Sequence, residues 1–355
     1  MVVFILSSFH MATAKKKKKS RVGLYLAIIV AGIILFVLLK VFAPNTGTFT
    51  HGEYLYIHTG SNYEQVKTDL TAGGFISDMS SFDFLAKRAQ LPTHIHPGKY
   101  KIKEAMSNYD IIRMLRGGKQ TEVKLAINKV RTLQDFISLV STNLEADSNT
   151  LKQMLHDPVY LAQFSLDTNT VMCGVVPATY FFKWNTPADK AFRKIEENYN
   201  RFWDADRKAR ARSKGLSPTQ AVTLASIVDE ETNMNDDKPK IASVYLNRLQ
   251  KGMKLQADPT VKFAVGDFTI KRITGAMLGN TSPYNTYVYA GLPPGPICTP
   301  SASSVEAVLE APQTTYLYFC AKEDFSGYSN FASTYDEQLK NARAYQQALN
   351  DHNIH

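Results

Sequence analysis

From residue 22 to residue 39 the chain reads VGLYLAIIVAGIILFVLL, eighteen residues without a charge. At about 1.5 Å per residue a helix of that length covers roughly 27 Å, close to the about 30 Å of a bilayer's hydrocarbon core. Lys40 follows, then Val41, Phe42, Ala43 and Pro44, whose ring cannot continue a helix. The stretch predicts a transmembrane helix over 22–43. A cleaved signal peptide is the competing reading, but its apolar region is shorter, and no small-x-small site closely precedes Pro44. The stretch VVFILSSF near the start is too short to span, and Met11 is a second candidate start.

Charge gives this helix a direction. The 355 residues carry a net +9, of which Lys15, Lys16, Lys17, Lys18, Lys19 and Arg21 supply six; no acid lies among the first 21 residues. Only +3 is left for the remaining 334, so the pI does not call for a nucleic-acid partner; topology and anionic lipid explain the cluster better. Positive charge stays on the cytoplasmic side, so residues 1–21 read as a basic cytoplasmic head and residues 45–355 as exported. The expected location is the cytoplasmic (inner) membrane, single-pass, N-terminus in. With 44% hydrophobic and 21% charged residues, the exported part is neither disordered nor collagenous. Cys173, Cys298 and Cys320 allow at most one disulfide and read as small buried hydrophobes. Eight histidines show no HExxH or paired metal spacing, and His94 and His96 alternate as on a strand. No metal or cofactor is expected.

In the exported part, after the spacer APNTGTFTHG, YLYIH reads as a strand, SNYEQVKTDLTAGGFI as a helix stopped at Gly73-Gly74, and 79–89 as a second helix. HPGKYKI is a strand opened by Pro97-Gly98, and SNYDIIRMLRGG a capped helix. These make a small α+β module over 45–120. TEVKLAI then predicts a strand, and RTLQDFISLVSTNL an amphipathic helix with Leu133, Phe136, Ile137 and Val140 on one side. A Pro-broken stretch, CGVVPATYFFKWNTPADKAF, runs into charged helix through about 214. The whole reads as α+β, with a mixed α/β second domain over 121–350.

The densest chemical signal lies between Ser217 and Tyr287. Ser217, Pro218 and Gln220 specify a helix start, with Ser217 as N-cap and Gln220 completing a capping box. Ala221, Leu224, Ala225 and Val228 face a core, and the helix ends in Asp229, Glu230 and Glu231. Acids there oppose the helix dipole, by about 0.3 to 1 kcal/mol each when exposed. They are either solvated or paired with lysines such as Lys238 and Lys240, or one is held with a raised pKa, ready to protonate a leaving group. KPKIASVYLNRLQKGM is an amphipathic helix ending at Gly252, with Ile241, Val244, Tyr245 and Leu249 on its apolar stripe. LQADPTVKFAVG places Gln256, Asp258 and Thr260 around a proline turn, followed by SPYNTYVYAGLPPGPI. Polar groups on Pro- and Gly-fixed backbone suit ligand orientation, and equally suit ordinary turns.

LASIVDEET, KIASVYLNRLQKGMKLQADPTV, SPYNTY and GLPPGPI, in this order, closely resemble the endolytic murein transglycosylase, or YceG-like, family. The resemblance extends over HPGKYKI, PATY and TYLYFCAK, and the N-terminal anchor fits it. It implies a LysM-like subdomain at 45–120 and a YceG-like catalytic domain at 121–350. It also implies that Glu231, directly before Thr232, is the catalytic residue. Asn247, Gln256, Asp258, Thr260, Tyr284, Asn285 and Thr286 are the candidates for positioning sugar. Two departures stand out: Cys173 and Ala178 occupy positions where the family often has carboxylates. A lytic transglycosylase needs one carboxylate, because the attacking hydroxyl belongs to the sugar. The implied reaction cuts nascent peptidoglycan strands between N-acetylmuramic acid and N-acetylglucosamine, leaving 1,6-anhydromuramyl ends and setting strand length. The implied partners are peptidoglycan glycan strands and, beside them, peptidoglycan synthases (penicillin-binding proteins). The alternative is an inactive, membrane-anchored peptidoglycan-binding scaffold.

Overall fold

The computed structural model describes residues 21–50, 52–270 and 272–352. The lysine cluster 15–19, the apolar stretch at 1–9 and Met11 lie outside the described residues. The chain divides into two compact units, Met1–Gln120 and Thr121–His355.

In the first unit, α1 (Arg21–Phe42) is one 22-residue helix that buries no residue. It is long and apolar enough to cross a membrane. A helix apolar on every side that buries nothing in its own protein is compatible with a membrane anchor. The spacer that follows it is tied into the module. Asn45 N–H donates to the Met106 carbonyl (2.9 Å), Gly47 N–H to Phe75 (3.1 Å) and Thr50 N–H to Gly73 (3.0 Å), stitching 45–50 to the module. Gly74 makes this approach possible: its φ is +64°, and a Cβ there would run into the Thr48 carbonyl.

Strand β1 (Tyr54–Ile57) pairs antiparallel with β2 (Gly98–Lys101), Leu55 opposite Tyr100. Their inner residues pack on α2 (Tyr63–Ala72), α3 (Met79–Arg88) and α4 (Asn108–Arg116) through Val66, Leu70, Phe82, Ile111 and Leu115. Side chains of Asn62, Asp78 and Ser107 cap these helices. His94 and His96 are not on a strand. His94 closes a turn over Leu91–Thr93, and β2 begins only at Gly98, after Pro97, which has no N–H to give a ladder.

In the second unit, β3 (Val123–Ile127) pairs antiparallel with β4 (Ala178–Phe182). Helices α5 (Leu133–Asn143), α6 (Ser148–His156), α7 (Pro158–Ala162), α8 (Ala188–Phe202) and α9 (Ala205–Ser213) surround that ladder. Phe136, Ile137 and Val140 of α5 point inward as their spacing predicted. At the centre lies α10 (Pro218–Glu231), whose start has the expected capping box between Ser217 and Gln220. Residues 221–229 of α10 are all buried, so it is a core helix wrapped on every side. Packed around it are α11 (Lys238–Gln250), α12 (Asp258–Val265) and α14 (Ala302–Leu309), with the short α13 (Gly275–Leu278) following α12. The chain closes with an antiparallel pair, β5 (Tyr318–Ala321) and β6 (Ser329–Ala332), and α15 (Tyr335–Asp351).

Because α10 is wrapped on all sides, trimming its core costs both buried area and a cavity. Leu224, fully buried, is the sharpest case: Leu224→Ala is expected to destabilise the protein by about 2 to 5 kcal/mol, read as a lowered urea midpoint.

Candidate active site

The three acids ending α10 meet three different environments. Asp229 is 6% exposed and sits between Lys129 (2.9 Å) and Lys238 (3.3 Å). Ser301 donates to it at 2.7 Å, and Ser304 also donates. Burial pushes its pKa up, but these donors and the lysines outweigh burial and hold the carboxyl well below the usual range. Glu230 turns to the other side of Lys129 (3.0 Å) and to Arg131 (3.0 Å). Two of the three acids are therefore structural ion pairs. Of the two lysines expected nearby, Lys238 takes part, whereas Lys240 lies 3.7 Å from Asp237.

Among the described residues no cation is in hydrogen-bonding contact with Glu231. Its Oε1 accepts from the Tyr245 hydroxyl at 2.6 Å. The residue is half-buried, and enclosure by protein pushes its pKa up to about 7. The Tyr245 hydrogen bond pulls it down, the Asp258 carboxylate pushes it up, and Lys262 and Arg248 pull it down at longer range. The adjacent Glu230 is neutralised by Lys129 and Arg131, and the negative charge that acts on Glu231 is Asp258. A carboxyl near pKa 7 populates acid and carboxylate in comparable amounts at neutral pH, which suits a group that must give a proton and take one back. The Tyr245 donation at Oε1 leaves Oε2 to hold the proton, and among the described residues no hydrogen bond occupies Oε2.

Tertiary structure brings LQADPT and SPYNTY together beside Glu231. Gln256 N–H donates to the Thr286 carbonyl (3.2 Å), and Ala257 N–H to Thr286 Oγ1 (3.0 Å). Thr260 and Thr286 hydroxyls meet at 2.9 Å, both buried. The Tyr287 hydroxyl donates to Asp258 Oδ1 at 2.6 Å. Asp258 and Pro259 open α12, so the expected proline turn is a helix start. Gln256 stands exposed at φ +50°, a left-handed conformation few non-glycine residues adopt.

The other sugar-positioning candidates have structural partners. Asn285 is fully buried and its amide donates to the carbonyls of Leu278 (3.0 Å) and Asn280 (2.7 Å), fixing the SPYNTY turn. Asn247 donates to the Thr314 (3.0 Å) and Tyr316 (2.9 Å) carbonyls on the way to β5. Tyr284 is half-buried against Phe263, ring centroids 4.7 Å apart. The residues facing Glu231 that sequence reading passed over are Tyr245, Tyr287, Arg248 and Lys262. Tyr245 offered a signal: a tyrosine on a buried stripe needs a partner for its hydroxyl. Lys129 and Arg131, about a hundred residues before α10's end, offered none.

Cys173 lies under the other end of α10, its Sγ 3.7 Å from the Thr219 carbonyl. Thr219 is twelve residues from Glu231, roughly 18 Å along a helix. All three cysteines are free. Among the described residues no group of three or more His, Cys, Asp or Glu is arranged to hold a metal.

The fold and this carboxyl define a helix-centred domain with one proton-holding glutamate. The YceG-like family matches residues 55–344, and the chain belongs to that family. It is similar to an endolytic murein transglycosylase of Bacillus subtilis, 29% identical over 311 residues, covering 83% of this chain and 85% of that one. An endolytic murein transglycosylase of Streptococcus pneumoniae is 26% identical over 299 residues, and the match spans 53% of that longer protein. A crystal structure of a yceG-like protein from Listeria monocytogenes aligns with a TM-score of 0.55 and 29% identity, over 81% of this chain and 98% of that one.

Two opposed substitutions test the electrostatics. Tyr245→Phe removes a hydrogen bond that favours the carboxylate and should move the Glu231 pKa above about 7; Asp258→Asn removes a repelling charge and should move it below. Carboxyl-carbon NMR titration reads both directions without relying on turnover.

Linkage gives a second test. A carboxyl with folded pKa about 7 against an ordinary 4.5 binds more protons folded than unfolded between those values. Stability should therefore fall as pH rises from about 4.5 to 7 and level off above, with a contribution on the order of 3 kcal/mol. Denaturant titrations at pH 5 and pH 8 should show the loss in wild type and its disappearance in Glu231→Gln.

Proposed function

We propose that this protein is a membrane-anchored endolytic murein transglycosylase whose acid and base is Glu231. The observation that carries the reading is the Tyr245-oriented, half-buried carboxyl at the end of the core helix, with a pKa of about 7. Family membership and the named activity of the Bacillus subtilis relative support it.

In this mechanism protonated Glu231 gives its proton to the glycosidic oxygen between N-acetylmuramic acid and N-acetylglucosamine, and the C1–O bond breaks. The resulting carboxylate takes the proton of the muramyl 6-hydroxyl, whose oxygen bonds to C1. The product is a 1,6-anhydromuramyl end, with no water consumed and Glu231 reprotonated. Hydrolysis would instead need a second carboxylate about 5 to 5.5 Å away for retention or about 6.5 to 9.5 Å for inversion. The left-handed exposed Gln256, together with Asp258 and Tyr284, is proposed to position sugar. Thr260, Asn285, Thr286 and Asn247 are proposed to act by holding the loops that carry them.

The reading extends to the whole chain. Residues 1–21 are the cytoplasmic head, 22–43 the membrane span, 45–120 a LysM-like subdomain and 121–350 the catalytic domain on the outer face. The substrate is nascent peptidoglycan beside synthases, and the cut terminates the strand.

Mass spectrometry of purified glycan strands incubated with the full chain tests this. Wild type should release anhydromuramyl ends, and Glu231→Gln should lose about 10²-fold or more in rate while staying folded. Reducing ends would instead mean hydrolysis. Glycan bound but uncut by wild type would favour the scaffold reading, to which the Cys173 and Ala178 departures belong.

A further inference from the structure

The end of α1 is built into the module that follows it. Phe42 meets Tyr109 with ring centroids 5.4 Å apart. Asn108 Nδ2 donates to the Lys40 carbonyl at 2.9 Å, and Lys40 Nζ lies 2.7 Å from Asp78. Wherever the apolar length of α1 ends in a bilayer, the first turn of α4 is held at that boundary. Arg113 and Arg116 follow Tyr109 at four and seven residues, on the same side of α4. Their rise from it, about 6 and 10 Å, is comparable to the physiological Debye length of about 8 Å.

These arginines border an open groove of about 450 Å³ with Tyr109, Ile112 and Ala89, and no acidic residue lines it. Arg113 stacks over Tyr109 at 5.9 Å, and the nearby α3 repeats the pattern with Arg88 over Phe84 at 5.3 Å. Both rings are exposed, Phe84 by 59% and Tyr109 by 44%. Asp110, the acid closest in sequence, is turned to the Ser107 cap at 2.6 Å. Among the described residues Arg88, Arg113 and Arg116 form no ion pair. Asp110 acts on Arg113 only at longer range, and two arginines one turn apart match the oxygens of a phosphate, while exposed aromatic rings suit the headgroup layer.

We propose that this groove seats the phosphate headgroup of an anionic membrane phospholipid, laying the module on the outer bilayer surface. The proposal rests on the membrane-anchor reading above. Each arginine contributes about a fivefold gain in surface affinity. The consequence for function is geometric: the module joined to the end of α1 is held flat against the membrane.

The test is hydrogen exchange on the full chain in nanodiscs of phosphatidylcholine alone or mixed with phosphatidylglycerol. A local readout is needed because the lysines at 15–19 also attract anionic lipid. Exchange over residues 109–118 should slow severalfold with phosphatidylglycerol, and Arg113→Gln with Arg116→Gln should abolish the slowing while exchange in β1 and β2 stays unchanged. Equal exchange in both lipids, or protection that survives the double substitution, would overturn the proposal. So would the same protection from soluble glycerol phosphate over phosphatidylcholine, which would assign the groove to free phosphate. A chain that enters no nanodisc would sink the membrane-anchor reading together with the groove; entry without protection would sink the groove alone.

Discussion

The second unit is organised around the buried carboxylate of Asp229. It sits at the C-terminal end of α10, where the helix dipole disfavours it, and pairs with Lys238 at the N-terminal end of α11, where the dipole disfavours a cation. Each charge is badly placed on its own helix and well placed against the other. Lys129 from beyond β3 and the hydroxyls of Ser301 and Ser304 at the start of α14 complete the shell. Three other segments, two of them remote in sequence, are thereby tied to one atom group. Removing one partner from such a buried cluster costs about 3 to 5 kcal/mol, so the end of α10 is held firmly, and Glu231 follows two residues later.

That anchoring separates the roles of adjacent acids. Asp229 and Glu230 use up the nearby cations, Lys129, Arg131 and Lys238. Glu231 is left with a neutral hydroxyl donor, partial burial and a repelling Asp258. With those cations committed to its neighbours, burial is what holds the proton on Glu231. The same sequence run, DEE, thus contains both the structural clamp and the carboxyl of raised pKa.

Much of the local structure could be read without coordinates. The Ser217–Pro218–Gln220 start of α10 and the inward face of α5 follow from capping chemistry and periodicity, which depend only on residues within a turn or two. Glu231 was reachable through resemblance to a family; charge pattern alone left ion pairing as the ordinary outcome for all three acids. The strand expected at His94 and His96 failed because alternation over three residues says little beside two prolines. That the spacer after α1 is bound to the module could not be read, because its backbone bonds go to a loop that sequence distance does not reveal.

By itself the sequence determined the apolar length of α1, the starts and stops of most helices, and the presence of an acidic run at a helix end. These are properties of contiguous residues, set by side-chain volume, capping and the dipole. Only tertiary structure decided which acid would be the proton-holding one. Lys129 reaches back across a hundred residues to Asp229, Tyr245 across fourteen to Glu231, and Tyr287 across twenty-nine to Asp258. A carboxyl's pKa depends on what lies within a few ångströms and how much water is excluded, and neither quantity exists until the chain has folded.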